Sequence, residues 1–212
     1  NDMIFIQNLV RQNGKAIDVL PEKFKNDPKI QFIALSQKAT TDDPSAQHAL
    51  ACLYFEGKGV PRDHHAAFKW YETAATNNLP VSHHMLGQMY VNAQGVEKDS
   101  AKSIECFKKA YELGFARAAL ELGNIYFEAK GVEQDYEKAF FYYKKAAIKN
   151  IINAQFYLGE MCYRGQGVEQ NTEEAMRWLS LASGQKNLAS EYHLGFIYRD
   201  GRGIQQDDKK AF

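Results

Sequence analysis

Apolar residues recur along this chain with two periods at once. Over short stretches they fall at helical spacing: Ala118, Leu122, Ile125 and Tyr126 share one face. A Gly-containing link, Glu128 to Val132, follows, and Ala139, Tyr142, Tyr143, Ala146 and Ala147 then mark a second helix. Asp135 stands where it can cap that helix, because its carboxylate can accept from the free N–H groups of the first turn. Over longer distances the pattern returns every thirty-six residues. Ala46, Ser82, Ala118, Ala154 and Ser190 keep that register, as do Leu50, Leu86, Leu122, Leu158 and Leu194. Gly59, Gly95, Gly131, Gly167 and Gly203 do the same. A fixed period of this length predicts an all-α solenoid of stacked helix pairs. Small residues such as Gly123 and Ala139 alternate with large ones such as Tyr126 and Tyr142, which lets the helices of a pair close up.

The same register divides the chain. Repeat units are expected over 45–80, 81–116, 117–152 and 153–188, with a partial unit over 189–212 and the array continuing beyond it. Residues 28–44 read as the second helix of an incomplete unit. Asp27-Pro28 is a helix-start signal, and Phe32, Leu35 and Ala39 match Phe68, Tyr71 and Ala75. Residues 1–27 read as a helical segment or a degenerate repeat. Asn171-Thr-Glu-Glu174 fits a capping box, with the Glu reaching back to the cap residue's N–H.

These motifs resemble the Sel1-like repeat, a longer relative of the tetratricopeptide repeat. The first copy supplies Ala46, Leu50, Tyr54, Gly57-Lys-Gly-Val60, Asp63, Ala67, Trp70-Tyr71 and Ala74-Ala75. The fourth supplies Ala154, Leu158-Gly159, Gly165-Gln-Gly-Val168, Ala175 and Trp178. The resemblance covers roughly residues 28 to 212. It implies a right-handed α-solenoid of antiparallel helix pairs and a non-catalytic role as a scaffold or adaptor. In that family such roles include assembling signalling or membrane-associated complexes, often in bacteria that live with host cells. A cysteine-rich branch of the family bridges the two helices of each repeat and has been linked to β-lactam binding. This chain has no such pairs among Cys52, Cys106 and Cys162, so hydrolase activity of that kind fits poorly.

Composition narrows the remaining classes. Lys and Arg balance Asp and Glu, giving a formal net charge of +0, with no basic run longer than two residues. A nucleic-acid footprint is not expected. No apolar run approaches the length needed to span a membrane. Widely spaced cysteines favour a reducing, cytoplasmic compartment, with export from a bacterium or a periplasmic location as the alternative. The first residue is Asn1 and the chain stops inside an apolar pattern at Phe212, so a piece of a longer protein is expected. A role as a spacer or regulatory part of a larger enzyme or receptor therefore stays open.

No cofactor or metal is expected. The adjacent histidine pairs His64-His65 and His83-His84 point to different helix faces, and no His-Glu-x-x-His or Cys-x-x-Cys occurs. The repeated loop Gly has a backbone explanation, an exit with positive φ, and lacks the Lys-Ser/Thr of a phosphate loop. What remains is the surface. In the tetratricopeptide architecture the first helices line a concave face. Three rows of variable positions would face it: His48, His84, Leu120, Phe156, Tyr192; Cys52, Gln88, Asn124, Glu160, Phe196; and Phe55, Val91, Phe127, Tyr163, Arg199. The expected protein- or peptide-binding residues are His84, Leu120, Asn124, Phe127, Phe156, Glu160, Tyr163, Tyr192, Phe196 and Arg199. Leu120, Phe127, Phe156 and Tyr163 form the expected centre, with rim charges at Arg117, Glu128, Glu160, Arg164 and Arg199.

Overall fold

The computed structural model describes residues 2–40 and 42–201. The fifth copy's Gly203 and the start of its second-helix pattern, through Phe212, lie outside the described residues. Within them the chain is all-α, with no strand. It divides into two compact units at Leu113/Gly114.

The first unit opens with α1 (Asp2–Gln12), a 3₁₀ turn (Gly14–Val19) and a single-turn α2 (Glu22–Lys25). Helices α3 (Pro28–Lys38), α4 (Pro44–Glu56), α5 (His64–Thr76), α6 (Pro80–Asn92) and α7 (Ser100–Glu112) follow. α4 pairs with α5 and α6 with α7, and α3 packs on α4. Ile6, Val10 and Ala16 close over Ile30 and Ala34, so the N-terminal segment shares a core with α3. The second unit holds α8 (Arg117–Phe127), α9 (Tyr136–Ile148), α10 (Ile152–Arg164), α11 (Thr172–Ser183) and α12 (Leu188–Asp200). α8 pairs with α9 and α10 with α11, while α12 packs on α11.

Local chemistry sets each boundary. Asp27, Asp43, Asp63, Asp99, Asp135 and Asn171 each accept from backbone N–H groups in the first turn of the following helix. The capping box expected at Asn171 is only half made. Asn171 Oδ1 accepts from the Glu174 N–H at 2.9 Å, but the Asn171 N–H already donates to the Cys162 carbonyl at 2.8 Å. The Glu174 carboxylate instead accepts from Trp178 Nε1 at 2.7 Å. The tie from the cap N–H to the first helix recurs as Asp63 to Tyr54 and Asp135 to Tyr126.

The loop glycine answers to two constraints. Gly167 sits at φ +68, and a Cβ there would lie 2.2 Å from the Tyr136 carbonyl oxygen. Gly95 stands the same way over His64, with φ +70 and 2.2 Å. The loop thus rests on the start of the preceding pair's second helix, where only a residue without a side chain fits.

Large against small builds the core of each pair. Tyr143 is fully buried, and a Cβ on Gly123 would lie 2.5 Å from its ring. Leu122 and Leu158 are fully buried as well. Each such leucine contributes about 1.5–3 kcal/mol. Tyr142, the other tyrosine of that slot, is half-buried and stacks on Tyr126 with ring centroids 5.9 Å apart.

Candidate functional site

Tyrosine hydroxyls from the second helices reach back to the first. Tyr143 donates to Asn124 Oδ1 at 2.9 Å, and Asn124 donates in turn to Glu121 Oε2 at 3.4 Å. Burial raises the Glu121 carboxyl above its ordinary range and does the same to the Tyr143 phenol. In the first unit Tyr71 donates to Cys52 Sγ at 3.3 Å across the same nineteen-residue offset. The Cys52/Asn124 row, expected on a groove, therefore includes positions that tie the two helices of a pair together.

The other rows are largely seams between consecutive repeats. Phe127 lies half-buried among Tyr136, Tyr143 and Tyr157 at 5.4, 6.1 and 6.3 Å. Phe156, also half-buried, meets His193 edge-on at 5.4 Å. Tyr163 is buried, and its hydroxyl donates to Asp200 Oδ2 at 2.8 Å. Glu160 is buried and pairs with Arg164 Nη2 at 2.8 Å and His193 Nδ1 at 2.5 Å. Leu120 is buried too. In the first unit His84 is buried with its ring 5.4 Å from Phe107. The expected four-residue centre is thus not an exposed apolar patch. Leu120 and Tyr163 are closed off, and Phe127 and Phe156 keep only part of their rings in solvent. For Phe156, Glu160 and Tyr163 on α10 the cause is α12, whose His193, Phe196 and Asp200 lie against them.

The exposed members lie on α12. Tyr192 is 70% exposed and Phe196 38%, and the Arg199 guanidinium lies 5.7 Å from the centroid of the Phe196 ring. Leu188, 76% exposed, extends the stripe by one turn and was not among the expected residues. Its spacing to Tyr192 and Phe196, four and eight residues, was available in the sequence. The stripe Leu188, Tyr192, Phe196, Arg199 is the thirty-six-residue image of Ile152, Phe156, Glu160, Tyr163 on α10. It is the face that one repeat offers to the next.

The Sel1 repeat family matches residues 44–79, 80–115, 116–150, 152–187 and 188–212. The chain belongs to the Sel1 repeat family. A Sel1 repeat protein from Oxalobacter formigenes is 30% identical, with a TM-score of 0.80 over 97% of this chain and 82% of its own. A protective antigen present in uropathogenic Escherichia coli strains, displaying an SLR fold, is 26% identical with a TM-score of 0.85. That match covers 97% of this chain but only 43% of the antigen, which is a much longer protein. An immunity protein from Pseudomonas aeruginosa, 22% identical with a TM-score of 0.56 over 97% of this chain and 77% of its own, shares the fold. No curated protein matches the chain. Sel1 repeats are generally protein-interaction scaffolds.

Other features of this Sel1 chain bear on chemistry. The thiols of Cys52, Cys106 and Cys162 are free. Among the described residues no group of three or more His, Cys, Asp or Glu is placed to hold a metal ion. Nor is any described helix long and apolar enough to cross a membrane. The first unit has a cleft of about 800 Å³ along α5, α6 and α7, and another of about 690 Å³ between the 3₁₀ turn, α3 and α4.

Proposed function

We propose that this chain is a non-catalytic scaffold that holds a protein partner, and that α12 presents a principal contact. The observation that carries this is the stripe Leu188, Tyr192, Phe196, apolar and exposed along three turns and closed by the Arg199 cation. Its counterpart on α10 is covered by a helix, so the natural occupant is another amphipathic helix. That helix would carry small or apolar residues against Tyr192 and Phe196. An acidic residue on it would face Arg199, where Asp200 faces Tyr163 one repeat earlier. Aromatic side chains flanked by an arginine are the residue types that dominate binding energy at protein interfaces.

The test replaces Tyr192 by a photo-crosslinking phenylalanine analogue, with the same probe at Val19 as control. Val19 is apolar and 83% exposed and belongs to the first unit, away from α12 in the chain. One discrete crosslinked protein is expected at position 192, lost when Phe196→Ala and Arg199→Glu are added. Equal labelling from both positions would refute the assignment. With the partner in hand, Y192A/F196A is expected to weaken binding by about 2 kcal/mol or more.

A role as a spacer within a larger protein is the second reading. It draws on the length of the Escherichia coli relative, of which this chain spans 43%. A partner that binds only when further domains are attached would favour it.

A further inference from the structure

Cys52 and His48 stand one turn apart on α4 and both line the cleft between α4, α3 and the 3₁₀ turn. His48 Nε2 lies 3.5 Å from Cys52 Sγ. The other ring nitrogen, Nδ1, lies 2.9 Å from the Ser82 hydroxyl oxygen. When Nδ1–H donates to Ser82, the Nε2 lone pair is left to take the thiol proton. The Tyr71 hydroxyl also donates to Sγ, at 3.3 Å, and its ring lies 5.2 Å from that of His48. A thiol with a base and a donor both in contact with it is the arrangement of an assisted nucleophile.

We propose that Cys52 is a site of reversible S-thiolation by a small disulfide. The cleft, about 690 Å³, has room for such a molecule beside the sulfur. Lys25 and Lys38 line its wall, paired with Glu22 at 3.2 Å and with Asp18 at 3.8 Å. In the step, Cys52 S–H gives its proton to His48 Nε2 as the sulfur attacks one sulfur of the disulfide. The new bond joins Cys52 to that sulfur, and the original S–S bond breaks. The departing thiolate takes the proton from the imidazolium, so the products are the mixed disulfide and one free small thiol. Cys52 is oxidised and half of the disulfide is reduced. Excess small thiol drives the same exchange backwards.

Burial raises the Cys52 thiol and lowers the His48 imidazole, so both rest neutral near pH 7. The pair works by proton transfer during attack rather than as a standing thiolate. A thiolate of higher pKa is also the stronger nucleophile once the base has removed its proton. Cys106 and Cys162 give an internal comparison. Burial pushes both of these thiols up to about 11.

The experiment treats the reduced full chain with oxidised glutathione at pH 7.5 and follows all three cysteines by peptide mass spectrometry. Cys52 is expected to form its mixed disulfide about tenfold faster, or more, than Cys106 and Cys162. His48→Gln should slow Cys52 by a similar factor, below the roughly hundredfold or more of a fully developed general base, and leave Cys106 unchanged. Tyr71→Phe should also slow it, which keeps the test usable if H48Q lowers the helical signal. Thiolation of Cys106 as fast as Cys52 would overturn the proposal. So would an unchanged Cys52 rate in a folded H48Q variant or in Y71F.

Discussion

At the residue scale, the glycines separate two effects that are often merged. Gly167 has positive φ and also meets the Tyr136 carbonyl, whereas Gly114 has φ +93 with nothing within 4 Å of an added Cβ. Gly114→Ala should therefore cost only the conformational penalty, about 1–2 kcal/mol. Gly167→Ala adds a backbone overlap that must be relieved by moving the loop, and should cost more than about 3 kcal/mol. Urea midpoints of the two variants measure the difference; equal losses would show that the close approach does not matter. The capping aspartates carry a pH signature. The Lys102 backbone N–H holds the Asp99 carboxyl below the ordinary aspartate range. The Lys138 ammonium, then its backbone N–H, does the same for Asp135. A folded pKa below the unfolded one means that this stabilisation is complete above the ordinary aspartate range and is lost as pH falls through the folded value. D99N/D135N should keep both caps and flatten that acid limb of a Tm–pH curve between pH 5 and pH 2. An unchanged slope would show that these carboxylates do not carry it.

At the element scale, the helix pair is held by a seam of apolar contacts and by one buried polar tie. Tyr143→Phe removes the donor to Asn124 without changing ring packing, and is expected to cost about 1 kcal/mol. In a double-mutant cycle with Asn124→Ala, the coupling should be of the same size. Additive losses would mean that the hydroxyl is satisfied elsewhere. Between pairs the tie is different: Tyr163 on α10 reaches Asp200 on α12. Tyr163→Ala should destabilise the second unit by about 3 kcal/mol, because it empties a buried ring site and removes the hydrogen bond to Asp200. Y192A/F196A should change stability by less than about 1 kcal/mol, since both rings already face solvent. Thermal unfolding of the two variants distinguishes a seam residue from a surface one.

At the scale of the whole molecule, the fold relies on packing and caps rather than on covalent bridges. The three thiols are free, so the melting temperature of freshly reduced protein should not change with added dithiothreitol. A fall of several degrees would indicate a bridge that the structure does not contain. Each of the two units has its own buried residues, with Tyr71 and Phe107 fully enclosed in the first and Tyr143 and Leu179 in the second.

The sequence by itself determined the repeat, the helix pairs, the Asp and Asn caps and the small-against-large pattern of each core. All of these follow from spacings of a few residues or from one fixed period, and each has a local cause: a free N–H to cap, a loop that needs positive φ, a face that must be apolar. Only the tertiary structure decided which of the variable positions meet solvent. Phe156 and Tyr192 occupy one repeat position, as do Tyr163 and Arg199, yet Phe156 is half-buried and Tyr163 buried while Tyr192 and Arg199 are open. The same holds for Cys52, whose partners are an imidazole one turn away and a phenol nineteen residues on. Burial at such positions depends on which helix lies alongside, and that neighbour is set by how whole helices stack, not by the pattern of any one of them.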